Sequence, residues 1–274
     1  MEVIQNEGFS FNGKSIISKK KLYPLRWIVY GDNGVGKSTL LSQSKNPILI
    51  DIEGNCKHLD VARYPDEGFV QSFDEVVEFL KYLLKANHNY GTFGLDSLDS
   101  MEILISEKIN YLIETKRLDK GKDIDYGNAK KVWASLIKII TDLIEEIQLK
   151  RKMNFIATAH LAIKKADNPL TETYDRYDMR INNYMKTGFC TWVSCIFFAH
   201  KEIIIEDEKG SFNKRRAKNI ERRVLYTHGG PTYYGKNTFN LPERILFEGK
   251  NGYEEVTKHI MSYYGLNNNK EEQK

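Results

Sequence analysis

Cysteine is scarce in this chain: three residues in 274, at positions 56, 190 and 195. An odd and small number cannot close a disulfide framework, and it suits a reducing compartment. Proline is equally rare, with six residues, and no Pro-, Ser- or Gly-rich stretch divides the chain, which excludes a collagen-like or linker-dominated protein. No run approaches the roughly 18 apolar residues of a membrane span. The first residues, MEVIQNEGFSFNGKS, lack an apolar core behind a basic start, so no secretory leader is read. The expectation is a cytoplasmic protein without a membrane partner. Neither sign of charge dominates: 41 Lys and Arg face 37 Asp and Glu, a net +4. That surplus is too small to demand a nucleic-acid partner, so any basic patch must be local. What is present is ordinary for a folded domain, 41% hydrophobic and 28% charged residues over a length that fits one large domain or two small ones.

Short apolar runs punctuate the chain at 25–30 (LRWIVY), 47–51 (PILID), 92–96 (TFGLD), 154–160 (NFIATAH) and 196–199 (IFFA). Their length and their Pro and Gly boundaries predict buried strands. Between them lie helical spacings. Phe73, Val76, Val77, Leu80, Leu83 and Leu84 share one face, opened by a Ser72/Glu75 capping pair. A second helix is expected after residue 97, and a long third one, through Val132, Leu136, Ile140 and Ile147, before the fourth strand. Alternation of this kind predicts an α/β fold with a mainly parallel central sheet covered on both faces. Two further strands, at 192–206 and 222–227, are expected to form a hairpin around residues 207–210, and 253–264 a terminal helix. The organisation expected is an arm over 1–21, one domain over 22–250, and a helix with a polar tail over 251–274.

The phosphate-loop spacing G-x-x-x-x-G-K-[ST] occurs twice, at 8–15 (GFSFNGKS) and 31–38 (GDNGVGKS). Only the second lies between an apolar strand and a helix opening, so the first is read as a chance match. In the second, Gly31, Asp32, Asn33, Gly34, Val35 and Gly36 would turn backbone N–H groups inward as an anion nest, with Thr39 opening the helix behind it. Lys37 would reach the β- and γ-phosphates of ATP, and the Ser38 hydroxyl would ligate Mg²⁺.

Such a loop needs carboxylates on neighbouring strands. Asp96 ends the third strand, where an acid anchors the metal; Asp96-Ser97 before Leu98 also suits a helix cap. Glu53 follows the second strand, where a carboxylate can polarise an attacking water. His160 ends the fourth strand and is a candidate hydrogen-bonding sensor of the γ-phosphate.

In this order the residues Asp51-Ile52-Glu53-Gly54, Asp96-Ser97-Leu98-Asp99, Tyr126-Gly127, Ala159-His160, and Lys236-Asn237-Thr238 ahead of Leu241-Pro242 form a pattern. The chain resembles the phage nucleotide-binding proteins of the RecA-like P-loop ATPase superfamily, a group that includes RecA-like single-strand annealing proteins, across residues 24–247. The resemblance implies a RecA-like fold, Glu53 as catalytic glutamate, and His160 in the place of a glutamine sensor. It also implies a Lys236 that reaches into a neighbouring subunit's site, hence a homo-oligomer, ring or filament. Thr238 departs from the family's arginine. The location implied is the host cytoplasm, with other phage recombination or replication proteins as partners.

Two basic segments suggest single-stranded DNA. One is KRRAKNIERR at 214–223, with Lys214, Arg215, Arg216 and Lys218, expected between strands. The other, 164–180, carries Lys164, Lys165, Arg176 and Arg180 interleaved with Tyr174 and Tyr177. Cations that follow phosphates and rings that stack on bases suit single strands, although charge runs also occur on plain surfaces. Cys190, Cys195 and His200 sit among Phe189, Trp192, Val193 and Phe197 and read as a buried strand rather than a metal site. The function expected is ATP-dependent action on single-stranded DNA in recombination or replication. The alternatives are a small-molecule kinase on the same loop, or a DNA-binding module that uses ATP only as a switch.

Overall fold

The computed structural model describes residues 10–17, 19–118, 128–167, 170–207, 215–247 and 251–266, with the backbone alone for 203–207 and 215–221. The tract 119–127, with Tyr126-Gly127, lies outside the described residues, as do Lys214 and the tail from 267.

The chain opens with a small hairpin, β1 (Ser10–Phe11) against β2 (Lys14–Ser15). The first phosphate-loop match therefore ends in an exposed antiparallel turn, with no helix after Lys14. The main elements follow: β3 (Arg26–Gly31), α1 (Lys37–Ser42), β4 (Pro47–Asp51), β5 (Ala62–Tyr64), α2 (Phe73–Lys85), β6 (Thr92–Asp96), α3 (Leu98–Glu114), α4 (Ala129–Arg151), β7 (Asn154–Ala166), β8 (Tyr174–Met179), α5 (Asn183–Met185) running into a π-helical turn (Lys186–Cys190), β9 (Cys195–Asp207), β10 (Arg215–Tyr226), β11 (Lys236–Asn237), β12 (Arg244–Leu246) and α6 (Gly252–Tyr263).

The sheet order is β12-β10-β9-β3-β7-β6-β4-β5, with β11 on β9 and β8 on β7. The strands from β9 through β5 are parallel, and β10 and β12 add an antiparallel flank. This is a P-loop NTPase fold. The parallel strands read as continuous apolar runs because both faces are covered. One face buries Ile28, Ile50, Leu95 and Phe155 beneath α2, α3 and α4; the other buries Trp27, Val29, Leu49 and Phe197 beneath α1 and α6. β3, β4 and β6 end at one edge of this sheet, at Gly31, Asp51 and Asp96, and β7 and β9 cross the same edge at His160 and Ala199. Ligands of open α/β sheets bind at that carboxyl edge.

Local signals explain several boundaries. Ser72 Oγ accepts from the Glu75 N–H at 3.2 Å, the forward half of the expected capping box. The reverse half is absent: the Glu75 carboxylate takes the Gln71 N–H at 2.7 Å and the Tyr64 hydroxyl at 2.8 Å, which ties β5 to α2. Ser97 caps α3, accepting from the Ser100 N–H.

Within 164–180, β7 continues past the sheet edge and pairs antiparallel with β8, Lys164 opposite Arg176. One expectation changes: the basic run does not fall between strands. Arg215, Arg216 and Lys218 lie within β10, opposite Asp207, Glu206 and Ile204 of β9. With Ala217 and Ile220 as its apolar residues, the run 215–223 lacks the apolar alternation that announces a strand. Residues 208–210 of the expected turn lie outside the described residues.

Candidate nucleotide site

β3 delivers the chain to the carboxyl edge, and the loop turns from Gly31 to Gly36 before α1 begins at Lys37. Two glycines have a demonstrable reason. A Cβ on Gly31 would lie 2.1 Å from the Ala199 carbonyl oxygen of β9, so only glycine lets the two backbones approach. Gly36 has φ +104°, a left-handed conformation that opens the short helix, and its carbonyl accepts the Leu40 N–H at 2.9 Å as the first bond of that helix. Asp32, Asn33 and Gly34 are exposed, Val35 is buried beneath them, and Thr39 is half-buried in the first turn.

Lys37 is 8% exposed, and its Nζ donates to the carbonyls of Gly31 and Asp32, both at 2.9 Å. Burial lowers its pKa; Asp96, Asp99, Glu53 and Asp32 pull the other way without cancelling it. Ser38 Oγ donates to Asp96 Oδ2 at 2.5 Å. Asp96 also receives the Thr158 hydroxyl on Oδ1 and the Cys56 thiol on Oδ2, the latter at 2.9 Å. Burial, with Asp96 alongside, raises the Cys56 pKa and keeps it a thiol donor. A hydroxyl and a carboxylate that converge at the end of the phosphate loop are hard oxygen ligands, the set that fits Mg²⁺.

Above Asp96, the Glu53 carboxylate accepts from Ser97 Oγ, from Ser100 Oγ at 3.0 Å and from Asn55 Nδ2 at 3.2 Å. Asp51, 1% exposed, shapes the approach to it by accepting the N–H groups of Asn55 and Cys56. His160 Nδ1 stands 3.6 Å from Glu53 Oε1 and 3.5 Å from Asp99 Oδ2. Asp99 accepts the His160 backbone N–H at 2.8 Å and Arg180 Nε at 3.1 Å. Burial alone would raise the Asp99 pKa, but His160 and Arg180 outweigh it and hold the carboxyl below its ordinary value. Lys37, Ser38, Asp96, Glu53 and His160 thus converge at one edge. Asp99, Arg180, Ser97, Ser100 and Cys56 are further members of the cluster. Asp99 lies one turn into the acid-rich Asp96–Asp99 tetrapeptide, a signal that could have marked it.

Other expected residues fall elsewhere. Lys236 lies in β11 beside Ile196, which pairs with Ile28 of β3, on the amino side of the Gly31–Ala199 pair where the loop begins. Its Nζ donates to the carbonyls of Cys190, Thr191 and Val193 at 3.1, 3.0 and 2.6 Å. All three ammonium protons thereby close the end of the π-helical turn within the same chain, a structural role the sequence did not suggest. Lys164 donates to Ile181 O, and burial lowers its pKa. Arg176 pairs with the buried Asp178 at 3.2 Å, which Lys186 shares at 2.5 Å. Of the cations named in that segment, Lys165 and Arg180 are the exposed ones. Cys195 opens β9, where burial pushes its thiol up to about 12.

A family model described as an AAA domain matches residues 23–239. The chain belongs to this AAA domain family. The match spans the phosphate loop, the carboxylate cluster and β11, so this is a nucleotide-binding domain of the P-loop NTPase type. No curated protein matches the chain significantly. Among the described residues, no helix of this AAA domain is long and apolar enough to cross a membrane.

Proposed function

We propose that this domain hydrolyses ATP and couples the reaction to single-stranded DNA, in recombination or replication of the phage type. The observation that carries the first half is the convergence of Ser38 and Asp96 at 2.5 Å beneath Glu53. Ser38 and Asp96 would hold Mg²⁺, which when bound supplies charge neutralisation to the triphosphate. Lys37 would exchange its loop carbonyls for phosphate oxygens. Glu53, oriented by Ser97 and Ser100, would align the attacking water, and His160 would report on the terminal phosphate.

The second half is supported by the β7–β8 hairpin, which leaves the same edge carrying Lys165 and Arg180 with half-buried Tyr174 and Tyr177, and by the basic β10 strand. The trans-acting lysine does not enter this reading, because Lys236 is engaged in its own chain. The experiment is phosphate release from ATP and Mg²⁺ with and without single-stranded DNA. Turnover that rises with the DNA is expected. Absence of any ADP would overturn the hydrolytic reading, and equal rates with and without DNA would overturn the coupling.

A further inference from the structure

The outer wall of the phosphate loop is made by a residue from late in the chain. A Cβ built on Gly36 would lie 3.0 Å from Arg223 Nη1 and 3.6 Å from the Phe247 ring. The guanidinium of Arg223 therefore lies beside the turn that precedes Lys37. It is half-buried, and among the described residues no carboxylate or carbonyl accepts from it. The acids around Lys37 are Asp96, Asp99, Glu53 and Asp32, from β6, α3, the segment after β4 and the loop itself. Arg223 comes from β10, two strands to the other side of β3.

Its position is built rather than incidental. The β9–β10 register shifts between Asn219 and Arg223, so that three residues of β10, 220–222, stand against the single residue 202 of β9. Irregularities of this kind re-aim the side chain that follows, and they gather beside functional sites. From Arg223 onward the pairing is regular again: Arg223 opposite Lys201, Val224 opposite His200, Leu225 opposite Ala199. Ala199 is the residue on which Gly31 packs. On the other side Arg223 O accepts the Phe247 N–H at 2.9 Å, and the Phe247 ring contacts both Gly36 and Gly252 of α6. The backbone beneath the guanidinium is thus clamped from two strands.

A half-buried cation to which no described residue offers a counter-charge is costly unless an anion completes it. The element beside it whose sequence spacing suits an anion is the loop itself, with Lys37 at its end. We propose that Arg223 binds the phosphate chain of the nucleotide in its own subunit. It would be a second cation on the face of the loop opposite the Ser38–Asp96 metal position. This inference rests on the nucleotide-binding reading above and adds to it a residue outside the phosphate-loop motif.

Equilibrium titration of the full chain with ATP, ADP and inorganic tripolyphosphate, each with Mg²⁺, tests it in wild type, Arg223→Ala, Arg223→Lys and Lys37→Ala. Arg223→Ala should weaken ATP and tripolyphosphate alike, by about 10- to 100-fold for a lost charge-assisted bond, and Arg223→Lys by less. Dissociation constants do not depend on the fraction of folded protein, so partial misfolding would lower the number of sites and not mimic the result. If Arg223→Ala weakens ATP but leaves tripolyphosphate unchanged, the guanidinium serves the base and the phosphate assignment is wrong. If both ligands bind as in wild type while Lys37→Ala binds neither, Arg223 is a wall residue only. Failure of the wild-type chain to bind any of the three would instead overturn the nucleotide reading itself.

Discussion

Glu53 Oε1 and His160 Nδ1 stand 3.6 Å apart at the carboxyl edge of the sheet, one carried there by β4 and the other by β7. The carboxylate is held by two serine hydroxyls from the start of α3, so its orientation is set before it meets water. Glu53→Gln keeps the size and most hydrogen bonds but loses the charge. It should bind ATP as wild type does and turn over about 10²–10⁴-fold more slowly, read by single-turnover phosphate release. Near-normal hydrolysis would remove Glu53 from the reaction and direct attention to Asp99.

The two phosphate-loop spacings make opposite predictions. Lys14 belongs to an exposed hairpin, whereas Lys37 is buried against the Gly31 and Asp32 carbonyls. Lys37→Ala should abolish tight binding of ATP with Mg²⁺, and Lys14→Ala should leave it unchanged. Parallel losses in a nucleotide titration would show that strand–loop–helix context does not separate the two copies.

Most of the architecture was legible because the parallel strands are apolar on both faces. Trp27–Tyr30, Leu49–Ile50, Phe93–Leu95 and Phe155–Ala157 need no alternation to announce themselves. What escaped was structure whose burial is one-sided. β5 is a three-residue edge strand, half-buried throughout, and β8 reads YDRYDM, where the charges mask an antiparallel partner. The site was legible where chemistry imposes a spacing, as in Gly31–Ser38, and where an acid ends a strand, as at Asp96. Arg180 and Arg223 were named only as parts of basic segments; their places beside Asp99 and Gly36 escaped because long-range pairing does not show in local spacing. Lys236 carries a further lesson: the resemblance implied a role at a neighbouring subunit's site, and within its own chain the ammonium donates to three carbonyls at the end of a π-helical turn.

Lys236→Met tests that reassignment. Loss of three charge-assisted bonds to backbone carbonyls should lower stability by about 1–3 kcal/mol while the nucleotide affinity of the folded protein stays unchanged. Chemical denaturation and nucleotide titration on the same samples check it. Unchanged stability with lost turnover would restore a catalytic role.

Asp99 predicts an acid-side pH dependence. Its folded pKa lies below the ordinary 3.8, so the unfolded chain binds more protons between the two values. The stability it confers is complete above the unfolded value and drains as pH falls through the folded one. Urea midpoints taken between about pH 3 and 6 should therefore fall less steeply with acidification for Asp99→Asn than for wild type. Parallel curves would mean that His160 and Arg180 do not hold the carboxylate.

Neutralising Arg215, Arg216 and Lys218 together should weaken single-stranded DNA binding and flatten its dependence on salt. On a single strand, every phosphate that the protein ceases to neutralise reduces the log–log slope by about 0.7. An unchanged slope, measured by fluorescence anisotropy at several salt concentrations, would make this part of β10 a plain solvated ribbon.

Strand β7 is a single 13-residue element, buried from Phe155 to Ala159 and then free of the sheet from Leu161 to Ala166. It has no joint at the boundary. The six free residues extend about 20 Å from the sheet edge, and the root is bolted by the Arg180 N–H on His160 O and the Arg180 side chain on Asp99. The hairpin has a second support: in β8 the Tyr177 N–H donates to the Thr232 carbonyl, and the Tyr177 carbonyl accepts the Tyr234 N–H and the Tyr30 hydroxyl. In mechanical terms it is a beam propped at mid-span, its root at the carboxylate cluster and its prop on the 232–234 segment.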